Sequence, residues 1–318
     1  MNIKEEVLTA EKRIRRYIRK TPLEYSPYLS ELSESNVYLK LENLQLTGSF
    51  KARGAMNKVT SLTKKQRERG VITASTGNHA LGVASALKIL NCEGTIYLPE
   101  NSSRSKLSAL EYYPINLEFY GNDCSDTEVH ARRIAEENDQ AYISPYNDRE
   151  IIGGQGTIGV ELSGQLENID SVLVAVGGGG LISGIAGYLS SADKGTEFIG
   201  CLPENSPVMY ESVKAGKIID MEIKPTISDG TAGGIEHGSI TFDLCKRLVD
   251  DYILVNEKEI KEAIRLVLKK HHLVIEGAAG VTVGSFLKEK ERFRNKDVVL
   301  VICGGNISLD KLKGILCD

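Results

Sequence analysis

Apolar positions recur along this chain in two rhythms. Residues 3–19 place Ile3, Val7, Ile14 and Ile18 among charges at helical spacing, which predicts an amphipathic surface helix ending before Thr21 and Pro22. Four later segments share another grammar: "NVYLKLENLQLTGSFKARGAMNKV", "VITASTGNHALGVASALKIL", "SVLVAVGGGGLISGIAGYL" and "DVVLVICGGNISLDKLKG". Each is an apolar run of strand length, then a loop of small residues, then a helix-period stretch. Further strands are predicted in "GTIYLP", "INLEFY", "EFIGCLP" and "DYILV", and further helices in "SRSKLSALEYY", "DTEVHARRIAEEN" and "EKEIKEAIRLVLKKH". Strands alternating with helices predict an α/β protein of open, twisted parallel sheets with helices on both faces, which binds ligands at the strands' C-terminal ends. Two runs of such units predict two lobes around a cleft, a large one from residues 1–54 and 148–318 and a small one from residues 55–147.

Composition narrows the partners. A formal charge of −4 over 318 residues leaves no basic footprint for nucleic acid or an anionic membrane, and no uncharged apolar run approaches the ~20 residues of a membrane span. Six scattered cysteines without a CxxC pair, behind an N-terminus with no signal-peptide core, predict a cytoplasmic protein with reduced thiols.

Three loops and one lysine carry the candidate chemistry. Gly177, Gly178, Gly179 and Gly180 follow a buried-strand run and open a helix, so their N–H groups and the helix start form a cradle for an anion. Neither the dinucleotide nor the nucleoside-triphosphate glycine pattern is met there, which leaves a simpler phosphate. Ser75, Thr76, Gly77, Asn78 and His79 lie where another strand gives way to a helix, a setting that suits a carboxylate but also ordinary capping. Cys303 ends a third strand, as either a small buried residue or a polar contact. Lys51 lies at a helix start, where a free cation is disfavoured. An amine, a phosphate cradle, an amide and a polar strand end are together what pyridoxal 5′-phosphate requires.

"LENLQLTGSFKARGA", "STGNHALGVA", "VGGGGLISG", "DGTAGGIEHGSITF", "IEGAAGV" and "CGGN" run in order from about residue 20 to residue 306. They resemble the motifs of the fold-type II, tryptophan-synthase β-like pyridoxal-phosphate enzymes and, within these, the threonine/serine ammonia-lyase and serine racemase family. The resemblance implies that Lys51 is the Schiff-base lysine and catalytic base, with Phe50 beside the ring. It further implies Asn78 on the cofactor's 3′ oxygen, Gly177 to Leu181 on the phosphate, Cys303 at the pyridine nitrogen, and Gly234 and Glu276 lining the ring's other side. Ser75, Thr76, Gly77 and His79 would hold the substrate carboxylate, and Tyr146 of "SPYND" would close over the substrate. A homodimer is implied as well.

The implied reaction removes the β-hydroxyl of L-threonine, L-serine or a related 3-hydroxy amino acid, giving a 2-oxo acid and ammonia. A thiol is a weak donor to the pyridine, which favours rapid elimination over long-lived carbanion chemistry. Racemisation is the nearest rival. Racemases of this family carry a serine where this chain has Thr76, whose hydroxyl could act on the opposite face while its methyl crowds the site. Leu202 and Val208 stand where divalent-cation-binding racemases have carboxylates, so no metal site is expected. "SPYND" and "GTAGGIEHGS" resemble the wording of dehydratases for specialised substrates of hydroxyectoine-pathway, phenylserine or hydroxyaspartate type. His237 is either a substrate contact or a loop residue. The chain's end soon after "CGGN" leads to the expectation of no isoleucine-feedback module. A non-catalytic pyridoxal-phosphate binder is the alternative of a different class, and it would have no need of Lys51.

Overall fold

The computed structural model describes residues 1–102, 104–192 and 195–317. Among the described residues, ten strands form two sheets: β1 (Leu23–Tyr25), β2 (Asn36–Leu41), β3 (Val71–Ala74), β4 (Gly94–Leu98), β5 (Asn116–Phe119), β6 (Ala141–Tyr142), β7 (Ser171–Ala175), β8 (Glu197–Pro203), β9 (Asp251–Val255) and β10 (Asp297–Ile302). The larger sheet runs β1-β2-β10-β7-β8-β9 and the smaller β5-β4-β3-β6. All pairings are parallel except β1 with β2, which is antiparallel. That edge strand departs from the all-parallel expectation. Its three residues alternate too weakly to be read as a strand, and a short helix, Pro27–Ser33, reverses the chain into β2.

β3 and β7 are buried along their whole length, as expected of parallel strands covered on both faces. The predicted N-terminal helix is present but shorter, Ile3–Ile14, with Ile3, Val7, Ala10 and Ile14 inward. The predicted helix at "SRSKLSALEYY" is present as Arg104–Leu110; Ser103 lies outside the described residues.

One long helix was not legible as such. "REIIGGQGTIGVELSGQ" carries five glycines and stands outside the helices predicted from the pattern, yet Arg149–Gln165 is a seventeen-residue helix. Four of the five lie where other helices cross it, Gly164 alone having open space: a Cβ on Gly154 would stand 2.6 Å from the Cα of Gly54, and one on Gly156 would stand 2.8 Å from the Gly184 carbonyl oxygen. The helical cost of glycine, about 1 kcal/mol each against alanine, is offset by backbones packed at close range. One of those crossings seats the helix that begins with Lys51.

The loops after β3, β7 and β10, at the strands' C-terminal ends, supply Ser75, Gly177 and Cys303 respectively.

Candidate active site

Lys51 opens the helix Lys51–Ser61, whose cap position is held by Phe50 without a side-chain hydrogen bond. Backbone ties fix this start against β10: the Phe50 N–H donates to the Cys303 carbonyl at 3.0 Å, and Ser49 bridges Gly304. On the other side, Gly82 of the helix Asn78–Leu90 approaches so closely that a Cβ there would lie 3.0 Å from the Lys51 carbonyl carbon. The Lys51 amine donates to the Pro145 carbonyl at 2.7 Å and lies 5.2 Å from the centre of the Phe50 ring. Burial, only partly offset by Cys303 and Glu276, lowers its pKa to about 8. An amine so tuned is available as base and nucleophile near neutral pH.

Gly177–Gly180 follows β7, and the helix Gly180–Leu189 is capped by Gly179 at φ +81°, a left-handed conformation that suits glycine. No side chain caps this helix, which leaves its first-turn N–H groups for an anion. The Tyr146 ring lies directly on Gly178, so that any side chain at 178 would overlap it. The Tyr146 hydroxyl accepts from the Glu236 N–H at 2.8 Å, and burial raises the phenol to about 12, which keeps it protonated.

Asn78, Glu276 and Asn306 form a third cluster. Asn78 Nδ2 donates to both Glu276 oxygens, at 2.8 and 2.9 Å, and Asn306 Nδ2 donates to Asn78 Oδ1 at 2.7 Å. Glu276 is buried over Gly304, and burial outweighs its donors to raise its pKa to about 7. The Cys303 thiol is raised well above its ordinary value by burial and then by Glu276, so it stays an S–H at neutral pH. Asn306, the last residue of "CGGN", has no role implied by the family resemblance; the signal that marks it is an amide side chain beside two glycines at a strand end.

Ser75, Thr76 and Gly77 occupy the turn between β3 and the Asn78 helix, where Ser75 Oγ accepts from the Gly77 N–H at 3.2 Å. His79 differs from the expectation. It lies inside the helix rather than on the loop, its ring is buried, and Nε2 bonds the Ile143 carbonyl at 3.0 Å. Burial, reinforced by Lys51, lowers the ring to about 3, so the imidazole is neutral and offers no cation to a carboxylate. Only its backbone N–H, in the helix's first turn, is suited to that task. Gly234 has open space where a side chain would project, while His237 lies at the surface against Asp220 at 3.2 Å. Leu202 and Val208 are buried core residues.

The side chains present fit pyridoxal 5′-phosphate. The two oxygens of one carboxylate subtend only about 45° at Asn78 Nδ2, whereas its N–H bonds diverge by about 120°, so one N–H serves Glu276 and the other remains for a ligand. Thr47 Oγ1 and Ser49 Oγ, just ahead of Lys51, and His79 Nδ1 are buried without partners. Buried polar atoms without partners, two of them just before Lys51 in the chain and one on a ring that feels its charge, suit a site built for a polar guest.

A buried lysine of lowered pKa beside a strand-end cysteine, in an α/β fold whose glycine loop opens a helix without a side-chain cap, fits a cofactor-dependent enzyme. Residues 14–304 match the model of the pyridoxal-phosphate dependent enzymes, and the chain belongs to that family. It is 38% identical over 315 residues to the catabolic L-threonine dehydratase of Staphylococcus aureus, covering 98% of this chain and 91% of that protein. It superposes on the processed form of threonine deaminase isoform 2 from Solanum lycopersicum with a TM-score of 0.93 at 32% identity, over 98% of this chain and 92% of that one. The serine racemase of Dictyostelium discoideum gives 0.88 at 34% identity, over 96% and 98%.

Proposed function

We propose that this protein is a threonine/serine ammonia-lyase, which removes the β-hydroxyl of L-threonine, L-serine or a related 3-hydroxy amino acid to yield a 2-oxo acid and ammonia. The observation that carries this reading is the depressed Lys51 amine, which feels the protonated Cys303 thiol on one side and donates to the Pro145 carbonyl on the other, next to the Tyr146 ring that covers the Gly178 loop. When bound, pyridoxal phosphate supplies the electron sink that lets an amino acid lose its Cα proton.

The chain's own groups divide the remaining work. Gly177 to Leu181 would hold the phosphate through backbone N–H groups, the free N–H of Asn78 would meet the cofactor's 3′ oxygen, and Cys303 would face the pyridine nitrogen as a weak donor. Ser75, Thr76, Gly77 and the backbone of His79 would receive the substrate carboxylate. Lys51 would hold the cofactor and then carry the Cα proton. Tyr146, braced by the Glu236 N–H, would shield the phosphate loop and the substrate from water. The likeness to dehydratases also makes a cytoplasmic homodimer the expected working form, which light scattering of the purified protein checks.

Two outcomes follow. Gly178→Ala drives a methyl into the Tyr146 ring, so its affinity for pyridoxal phosphate is expected to fall by at least about tenfold, read by absorbance titration. The rate at which the cofactor-free protein takes up pyridoxal phosphate is expected to rise as pH rises through about 8 and then level off. The sign follows from the amine: below that pH Lys51 is an ammonium with no lone pair, and above it the free base dominates. An uptake rate that is flat from roughly pH 6 to 9 contradicts the assignment.

Racemisation is the second reading, favoured by the likeness to serine racemase and by the hydroxyl of Thr76 on the candidate substrate loop. Chiral separation after incubation with L-serine decides between the two: the proposal predicts pyruvate in large excess over D-serine, and D-serine in excess overturns it.

A further inference from the structure

We infer that Glu276 and Asn306 are positioning residues that clamp the Asn78 carboxamide so that its one free N–H points at the bound cofactor. This rests on the reading of Asn78 as a cofactor contact and deepens it, because Glu276 then acts through Asn78 rather than only as a wall beside the ring.

A carboxamide can flip end for end, exchanging donor for acceptor, at little cost when its neighbours are indifferent. Here they are not. Glu276 can only accept when ionised, and both its oxygens lie within hydrogen-bond distance of Asn78 Nδ2. Asn306 Nδ2 donates to Asn78 Oδ1, and its own orientation is fixed because the same nitrogen donates to the Thr47 carbonyl at 2.7 Å. A flipped Asn306 would set oxygen against the oxygens of Thr47 and Asn78. The Asn306 backbone N–H closes the circuit on Glu276 Oε2 at 3.1 Å.

The clamp also joins three separate parts of the chain. Thr47 precedes Lys51, with a left-handed φ of 61° that is uncommon for threonine; Asn78 follows β3 of the smaller sheet; Glu276, the cap of the helix Gly277–Lys288, and Asn306 meet at the C-terminal end of β10 of the larger one. Asn306 therefore ties the lysine loop, the amide and the carboxylate into one unit across the two sheets. Because Asn306 is exposed, water can replace its bonds in the folded protein, so its loss is expected to show in the direction of the Asn78 amide more than in folding stability.

The test is a double-mutant cycle on the full chain, freed of cofactor and titrated with pyridoxal phosphate at pH 8, where Glu276 is mostly ionised. Asn306→Ala and Glu276→Gln are each expected to weaken binding by about threefold to tenfold and to shift the absorption maximum of the bound cofactor. Asn306→Ala is expected to leave the melting temperature of the cofactor-free protein essentially unchanged. In an Asn78→Ala background neither change should weaken binding further, since the residue they act through is gone. Full additivity, or an Asn306→Ala protein that binds as the parent does, overturns the inference while leaving the cofactor reading intact. An Asn78→Ala protein that binds normally removes the Asn78 assignment and the inference together.

Discussion

Lys51→Ala is expected to lower turnover by roughly 10³-fold or more while leaving the fold as stable as before, or more so. The loss follows from removing both the attachment point and the base. The retained stability follows from physics that runs the other way: the Lys51 amine is desolvated enough to lower its pKa to about 8, so the folded chain bears a cost that alanine does not. The helix start stays anchored, because its ties to β10 are backbone bonds from Ser49 and Phe50. The violet absorption of lysine-bound cofactor should vanish and the melting temperature should hold. A variant that keeps substantial turnover contradicts the central role of Lys51; one that fails to fold contradicts the account of why lysine is tolerated there.

Two residues later the same helix should give the opposite result. Arg53→Ala is expected to cost about 3–5 kcal/mol of folding stability, a large share of the roughly 5–15 kcal/mol that a domain possesses. Arg53 is fully buried, with paired bonds to Glu42 at 2.7 and 2.7 Å, bonds to Glu161 at 2.8 and 3.0 Å, and a further bond to Thr157 at 3.1 Å. Lys40 and Arg15 still serve Glu161 when the guanidinium is removed, at 2.6 and 2.7 Å. Glu42 keeps a side-chain bond from Thr21 Oγ1 at 2.6 Å and loses its directly bonded cation, with Lys40 acting on it only at longer range. Urea unfolding measures the cost. A loss below about 1 kcal/mol, the scale of an exposed pair, would show that the cluster does not hold this helix in place.

That contrast marks what the sequence does and does not display. The strands that end at Ser75, Gly177 and Cys303 are legible because their apolar runs stop abruptly at small and polar residues, a local signal. The loops and Lys51 are legible for the same reason. Arg53, Glu42 and Glu161 carry no such mark, since Glu161 lies 108 positions from Arg53 and only folding brings them together. The helix Arg149–Gln165 is hidden for another reason: its glycines lower helix propensity, and the close crossings that require them exist only in the packed molecule. The burial of the His79 ring likewise depends on the Ile143 carbonyl, 64 residues away.

The most direct test of the account is the product balance of the purified, pyridoxal-phosphate-loaded protein given L-threonine and, separately, L-serine. The account predicts ammonia and a 2-oxo acid in equal amounts, 2-oxobutanoate from the first and pyruvate from the second, both lost in Lys51→Ala. A bound-cofactor absorption band that forms and persists while neither these two nor bulkier or acidic 3-hydroxy amino acids yield any 2-oxo acid would contradict it.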